Sequence, residues 1–168
     1  MRIQEKILRI ICSGLFIAAI AALGRAFSDT SSEWYQGLVK PALQPPPIVF
    51  SIVWTVLYAL MAASLSLVSI SPDPQPMPQE TLFSGSLKKK TLALYVLTGV
   101  LNVLWSYTFF YLQNPGGAIF VLILTILAAV ALFSNVYTIN KLAAYLLIPY
   151  MVWICFALYL NYEIAFFN

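Results

Sequence analysis

Three apolar stretches of the sequence each carry a tryptophan together with side chains that can form hydrogen bonds. The members of each set recur every three or four positions, which places them on one face of a helix. Each set alone favours plain packing between helices, whereas the three together favour a cavity with aromatic walls and a few placed polar groups. Such walls suit a flat, conjugated or polycyclic ligand. The sets are Phe50, Trp54, Tyr58 and Met61; Asn102, Trp105, Ser106 and Phe109; and Pro149, Trp153, Ala157 and Asn161.

Other kinds of chemistry are excluded by residues that the sequence lacks. It has no histidine, which removes the Ser/His/Asp triad and the commonest metal ligand. Of the acidic residues, only Glu163 stands inside an apolar stretch, and it lies near the end of that stretch. A proton-coupled pump or an intramembrane acid–base hydrolase is therefore not expected. The sequence also lacks a phosphate-binding glycine loop, and we expect no metal site.

The composition indicates an integral membrane protein whose main partner is the lipid bilayer. Of the 168 residues, 61% are hydrophobic and 9% are charged, whereas soluble domains have about 25% charged residues. The length predicts a single domain over residues 1–168. The net charge of +3, with no basic run among aromatic residues, predicts no binding to nucleic acid.

Five stretches are long enough to cross about 30 Å of hydrocarbon as helices. The predicted fold class is all-α, an integral membrane bundle of five transmembrane helices. Prolines 45–47 form a stiff entrance to the second helix, and Pro149 is expected to bend the fifth. Gly14, Ala18 and Ala22 are expected to allow close packing of the first helix. The predicted helices are about 7–27, 47–69, 90–112, 118–138 and 142–166.

Positive charges are distributed unequally between the two predicted sides of the membrane. The positive-inside rule predicts that the N-terminus, the second loop and the fourth loop are cytoplasmic. The loop at 34–46 and the end of the fifth helix then lie on the opposite side, where only Arg25 and Lys40 are basic. This count favours a bacterial cytoplasmic membrane. The basic residues on the first side are Arg2, Lys6, Arg9, Lys88, Lys89, Lys90 and Lys141.

Four motifs extend the pattern over about 130 residues. They are W-Y-x-x-L-x-K-P-x-x-x-P-P from Trp34, V-W-T-x-L-Y-x-x-M from Val53, L-N-x-x-W-S-x-x-F-F from Leu101, and P-Y-x-x-W-x-x-F-A-x-x-L-N-Y from Pro149. In this combination and order the chain resembles the TspO/MBR family, the tryptophan-rich sensory proteins, peripheral benzodiazepine receptors and translocator proteins.

The resemblance implies a five-helix bundle that forms a homodimer and holds a ligand pocket under its first loop. It implies binding of porphyrins (protoporphyrin IX and haem), and of sterols or benzodiazepine-type ligands, with no obligatory cofactor. It is also compatible with a bacterial or mitochondrial outer membrane as the host membrane. Carried over from the family, the pocket wall comprises Tyr35, Pro45, Trp54, Tyr58, Asn102, Trp105, Ser106, Phe109, Trp153, Ala157, Leu160 and Asn161.

The sequence departs from the family pattern in three places. Val121 stands where an acidic residue often begins the fourth helix, and Leu43 replaces a second tryptophan after the Lys-Pro pair. No Lys or Arg follows Tyr159 and Tyr162 of the fifth helix. The sterol-recognition pattern of animal members is therefore incomplete there.

Three functions remain open from the sequence. The leading hypothesis is a receptor or transport-type membrane protein that binds tetrapyrroles, with Lys40 or Arg25 meeting the propionates. The second is light-dependent degradation of protoporphyrin IX, in which the resemblance implies Trp54 and Trp153 as the reacting residues. The third is a structural subunit of a membrane complex, which predicts a packed bundle without a cavity.

Overall fold

The computed structural model describes residues 2–72 and 86–168, and the regular structure in these residues is entirely helical. Of the predicted second loop, between the helices at 47–69 and 90–112, residues 73–85 lie outside the described part. The elements are α1 (Ile3–Phe27), α2 (Glu33–Gly37), α3 (Pro47–Ile70), α4 (Leu87–Ser106), a π-helical continuation of α4 (Tyr107–Tyr111), α5 (Pro115–Ile139), α6 (Lys141–Tyr145) and α7 (Ile148–Phe167).

Five helical segments are long and apolar enough to span a membrane, which confirms the predicted fold class. Their observed ends lie within a few residues of the predicted ones. The segments are Ile3–Phe27, Pro47–Ile70, Leu87–Tyr111, Pro115–Ile139 and Lys141–Phe167.

Local sequence explains where several helices begin. Pro47 and Pro115 each occupy the first turn of a helix, where a missing N–H costs nothing. The side chains of Asn114 and Asn140 accept hydrogen bonds from the amides of Gly117 (2.8 Å) and Ala143 (3.0 Å), so both act as N-caps. The last span is interrupted at residues 146–147, and Pro149 lies in the first turn of α7. The expected bend is therefore a break between α6 and α7.

At each end of the bundle, a hydrogen bond joins two segments that are distant in the sequence. At one end, Arg9 Nη1 donates to the Ser69 carbonyl (2.8 Å), and this end is called the basic end. At the other end, the Val39 amide donates to Asn168 Oδ1 (2.8 Å). This second end is called the loop end because it holds the loop at 28–46. The Lys and Arg residues of the basic end are Arg2, Lys6, Arg9, Lys88, Lys89, Lys90 and Lys141.

The small residues of α1 expected to allow close packing do not pack against other helices of the same chain. Ala18 and Ala22 are exposed, and a Cβ on Gly14 would meet nothing within 4 Å. The buried face of α1 instead contains Ile17 and Ile20. The small residues therefore face outward from the chain, because the larger aliphatic side chains fill the space between α1, α3 and α4.

A buried serine joins three segments in the core near the basic end. The Ser64 hydroxyl of α3 donates to the Ala143 carbonyl of α6 (2.7 Å). Its oxygen lies 2.6 Å from the Tyr95 hydroxyl of α4 and therefore accepts from it. Both Ser64 and Tyr95 are almost fully buried. Loss of these two hydrogen bonds would leave the Tyr95 hydroxyl and the Ala143 carbonyl without partners in the core.

We expect Ser64→Ala to lower the free energy of unfolding by about 1–3 kcal/mol, because it orphans the Tyr95 hydroxyl and the Ala143 carbonyl. Thermal unfolding in detergent measures this loss. Ser66→Ala is the matched control, since the Ser66 hydroxyl donates only to Ala62 of its own helix (2.7 Å). An equal loss in both variants would show that the interhelical bonds add nothing.

Candidate functional site

A cavity of about 500 Å³ lies at the loop end, between α1, α3, α4 and the loop. It forms because the side chains of α1 that face the bundle become smaller toward this end. Ile17 and Ile20 fill the core, whereas Ala21 and Gly24 one turn later leave space. The lining consists of Ala21, Gly24, Arg25, Ser28, Thr30, Tyr35, Pro47, Phe50, Ser51, Trp54, Thr55, Tyr58, Asn102, Trp105, Ser106 and Phe110.

Three aromatic rings with nearly parallel planes form one wall of this cavity. The Trp54 ring lies 5.4 Å from Tyr58 and 6.4 Å from Trp105, with an interplanar angle of 28° in each pair. The nearly parallel rings come from two helices, since Trp54 and Tyr58 are one turn apart on α3 and Trp105 is on α4. The wall offers broad apolar faces to a planar ligand.

Polar groups of α3 and α4 stand beside the aromatic wall. The Asn102 side-chain nitrogen donates to the Tyr150 hydroxyl (2.9 Å), and its oxygen has no hydrogen-bond partner among the described residues. The hydroxyl oxygens of Tyr58 and Ser106 each lie 3.7 Å from the point where a Cβ on Gly24 would stand. Gly24 thus leaves an opening between two hydroxyl groups that can bind a ligand's polar atom.

Among the described residues that line the cavity, Arg25 is the one with a charged side chain. Arg25 Nη1 donates to the Ser28 carbonyl (2.9 Å), which holds the guanidinium at the rim. The neighbouring Asp29 carboxylate accepts hydrogen bonds from the Ser31 hydroxyl (2.6 Å) and amide (2.9 Å). These bonds lower the pKa of Asp29 below its usual 3.8. Asp29 is therefore ionised at neutral pH and bonded within its own turn.

Lys40 lies outside the lining of this cavity. Its Nζ stands over the Tyr35 ring, 4.9 Å from the ring centroid, in a cation–π contact. Burial raises the pKa of the Tyr35 phenol above its usual 10.0, so the ring remains neutral at physiological pH. Of the two predicted propionate partners, only Arg25 faces the cavity.

A second, small chamber of about 40 Å³ lies behind the wall. The two spaces share Tyr35, Trp105 and Phe110. Trp105 is fixed as the partition, because its Nε1 donates to Asn161 Oδ1 (3.0 Å) while Asn161 Nδ2 donates to the Pro115 carbonyl (2.8 Å). The chamber is lined by Tyr35, Gln44, Trp105, Phe109, Phe110, Ala157, Leu160, Asn161 and Ile164.

The residues predicted from the sequence fall into three groups. Those that line the large cavity are Arg25, Tyr35, Trp54, Tyr58, Asn102, Trp105 and Ser106. Phe109, Ala157, Leu160 and Asn161 line only the small chamber. Lys40, Pro45 and Trp153 line neither space.

Trp153 lies behind Phe50, with 5.4 Å between the ring centroids. Its Nε1 is buried and has no hydrogen-bond partner among the described residues. Met61, the last member of the first aromatic set, is also buried in the core below the cavity. Their spacing on α7 and α3 is as predicted, yet neither residue lines the large cavity.

Sequence reasoning missed the contribution of α1 and of the start of the loop. Apart from Arg25, the missed residues there are Ala21, Gly24, Ser28 and Thr30. Positions 21, 24, 25 and 28 recur at helical spacing, which was the available signal. On α3 the missed lining residues are Pro47, Ser51 and Thr55, and on the π-helical continuation of α4 the missed residue is Phe110.

The fold and this site define a class: a multi-pass helical membrane protein with an aromatic cavity near one end. The TspO/MBR family model matches residues 13–167. Tryptophan-rich protein TspO of Chlorobaculum tepidum is 31% identical over 163 residues, covering 94% of both chains. That of Archaeoglobus fulgidus is 34% identical over 163 residues, covering 96% of this chain and 98% of the relative. The Translocator protein of Homo sapiens is 35% identical over 132 residues, or 77% and 72% of the two chains.

The chain belongs to the TspO/MBR family, as its motifs predict. It is an integral multi-pass membrane protein, because five of its helices can span a bilayer. Family membership and the relatives' names support a role of the membrane receptor or transport type.

Proposed function

We propose that this protein binds tetrapyrroles, above all protoporphyrin IX, as a membrane receptor or transport protein. The observation that carries the proposal is the cavity of about 500 Å³ with the stacked rings of Trp54, Tyr58 and Trp105 as one wall and Arg25 at its rim. Small-molecule sites usually measure about 300–1,000 Å³.

The two parts of the site suit the two parts of such a ligand. The aromatic wall provides stacking area for an apolar macrocycle. The guanidinium of Arg25 provides a charge-assisted partner for a carboxylate. For haem, we propose that the ring face is recognised without axial ligation by histidine, since the sequence contains none.

Neutral polycyclic ligands are a secondary expectation for the same cavity. Sterols or benzodiazepine-type compounds could use the apolar wall and the hydroxyls beside Gly24. They would gain nothing from the charge of Arg25. Competition with bound protoporphyrin IX tests this expectation, and a compound that binds without displacing the porphyrin would contradict it.

We propose a bacterial cytoplasmic membrane, with the basic end in the cytoplasm, because seven of the nine Lys and Arg residues lie at that end. Labelling of a cysteine substituted for Thr30 by an impermeant reagent on intact cells tests the orientation, and protection of that cysteine would oppose it. We also propose a homodimer on the family resemblance, and sedimentation in detergent as a monomer would oppose that.

Light-dependent degradation of protoporphyrin IX remains a second candidate, because Trp54 lines the cavity and can meet light-generated oxidants there. Trp153 would have to act through Phe50. A faster loss of porphyrin absorbance in illuminated than in dark samples, abolished by Trp54→Ala, would support degradation. The cavity itself argues against a purely structural subunit.

Arg25→Gln is expected to weaken protoporphyrin IX binding about fivefold, since exposed charge pairs contribute about 1 kcal/mol or less. Fluorescence titration in nanodiscs measures the affinity. The dimethyl ester of protoporphyrin, which lacks the carboxylates, should bind both forms equally. Lys40→Gln is the control, because Lys40 lies outside the cavity lining. An unchanged affinity in Arg25→Gln would contradict the assigned carboxylate position, and absence of porphyrin binding by the wild type would overturn the function.

A further inference from the structure

One side chain ties the loop at the cavity to the far end of α7. The Val39 amide donates to Asn168 Oδ1 (2.8 Å), and Asn168 Nδ2 donates back to the Val39 carbonyl (3.2 Å). The same nitrogen donates to the Ile164 carbonyl (2.8 Å), which fixes the Asn168 side chain to the last turn of α7. In the described structure, residues 30–45 make no other hydrogen bond to a segment outside the loop. We call this pair of bonds to Val39 the clasp.

Residues that follow Val39 in the loop contact Tyr35, which lines the cavity. Lys40, next to Val39, stands over the Tyr35 ring. Gln44 Nε2 donates to the Tyr35 hydroxyl (3.4 Å). The Tyr35 ring packs against Phe110 (5.4 Å between centroids) and forms part of the lining of both spaces. A displacement of Val39 from α7 would therefore release contacts that hold Tyr35 in place.

We propose that Asn168 is a positioning residue that keeps the loop closed and so sets how fast a ligand enters and leaves the large cavity. The identity of the ligand rests on the proposed function, whereas the loop movement does not. The clasp touches no lining residue of the cavity directly. It acts on the opening equilibrium of the loop, so its loss raises the entry and exit rates by the same factor and leaves the dissociation constant unchanged.

The first experiment compares Asn168→Ala with wild type in stopped-flow mixing with protoporphyrin IX in nanodiscs. Two exposed hydrogen bonds are lost, so we expect association and dissociation to accelerate about fivefold each, with an unchanged dissociation constant. Gln36→Ala is the matched control, because Gln36 Nε2 donates to Thr30 within the loop (2.7 Å) and does not reach α7. Equal acceleration in the control, unchanged rates in Asn168→Ala, or a change in only one of the two rates would overturn the proposal.

The second experiment needs no porphyrin. Ser106→Cys places a thiol in the cavity wall, in a background with Cys12→Ser and Cys155→Ser. Labelling of this thiol by a water-soluble reagent should become about fivefold faster when Asn168→Ala is added. Unchanged labelling would overturn the clasp whatever the ligand is. Faster labelling, together with a wild-type protein that fails to bind protoporphyrin IX, would support the clasp and reject only the proposed function.

Discussion

Gly24→Leu is expected to weaken protoporphyrin IX binding by about 100-fold, the largest effect that we predict. A Cβ at Gly24 would stand 3.7 Å from both the Ser106 and the Tyr58 hydroxyl oxygens, at ordinary contact distance. The rest of a leucine side chain would then occupy the cavity between α1 and the aromatic wall. Overpacking of this kind costs up to about 3 kcal/mol, and each 1.4 kcal/mol is about tenfold in affinity. Fluorescence titration of the purified variant gives the number.

Gly14→Leu is the matched control for this substitution. Gly14 lies on the same helix, but a Cβ there would meet nothing within 4 Å. Both variants gain the same helix propensity and the same apolar surface. We expect the control to bind as the wild type does. Wild-type affinity in Gly24→Leu would place the ligand elsewhere, and an equal loss in both variants would point to a general effect on α1.

Trp54→Ala is expected to weaken binding about 30-fold, because aromatic anchors in desolvated pockets contribute about 2 kcal/mol or more. Trp54 stands between Tyr58 and Trp105, so its removal opens a gap in the aromatic wall. The measurement is the same titration, read by porphyrin absorbance because one indole fluorophore is lost.

Trp153→Ala provides the comparison, since it removes an indole from the same end of the bundle but from behind Phe50. Its effect on affinity should stay within about threefold, the size expected for a residue without ligand contact. A larger loss in Trp153→Ala than in Trp54→Ala would reverse the assignment of the wall.

The helical pattern of the sequence predicts the spans well because it depends on local physics. Apolar length sets each span, and Pro47 and Pro115 set where two of the helices begin. The same periodicity correctly places Trp54 and Tyr58 on one face of α3, where they stack. It could not foresee the break at residues 146–147, because Pro149 is compatible with either a bent helix or a new helix start.

The shape of the site was harder to predict because it depends on distances between helices. Periodicity predicts which residues face the interior of the bundle, but it does not show which of their side chains reach the cavity. Trp153 faces inward on α7, yet Phe50 separates it from the large cavity. The opening at Gly24 exists because glycine has no side chain. A search of the sequence for functional side chains therefore does not find it. Likewise, the partition at Trp105 depends on its hydrogen bond to Asn161, 56 residues away.

The structure of the complex with protoporphyrin IX is the most direct measurement. We expect one macrocycle within the chain, bounded by α1, α3 and α4, with its face against Trp54 and Trp105 and a carboxylate beside Arg25. A porphyrin bound on the lipid-facing surface, with the space between Gly24 and Trp54 left unfilled, would contradict this account.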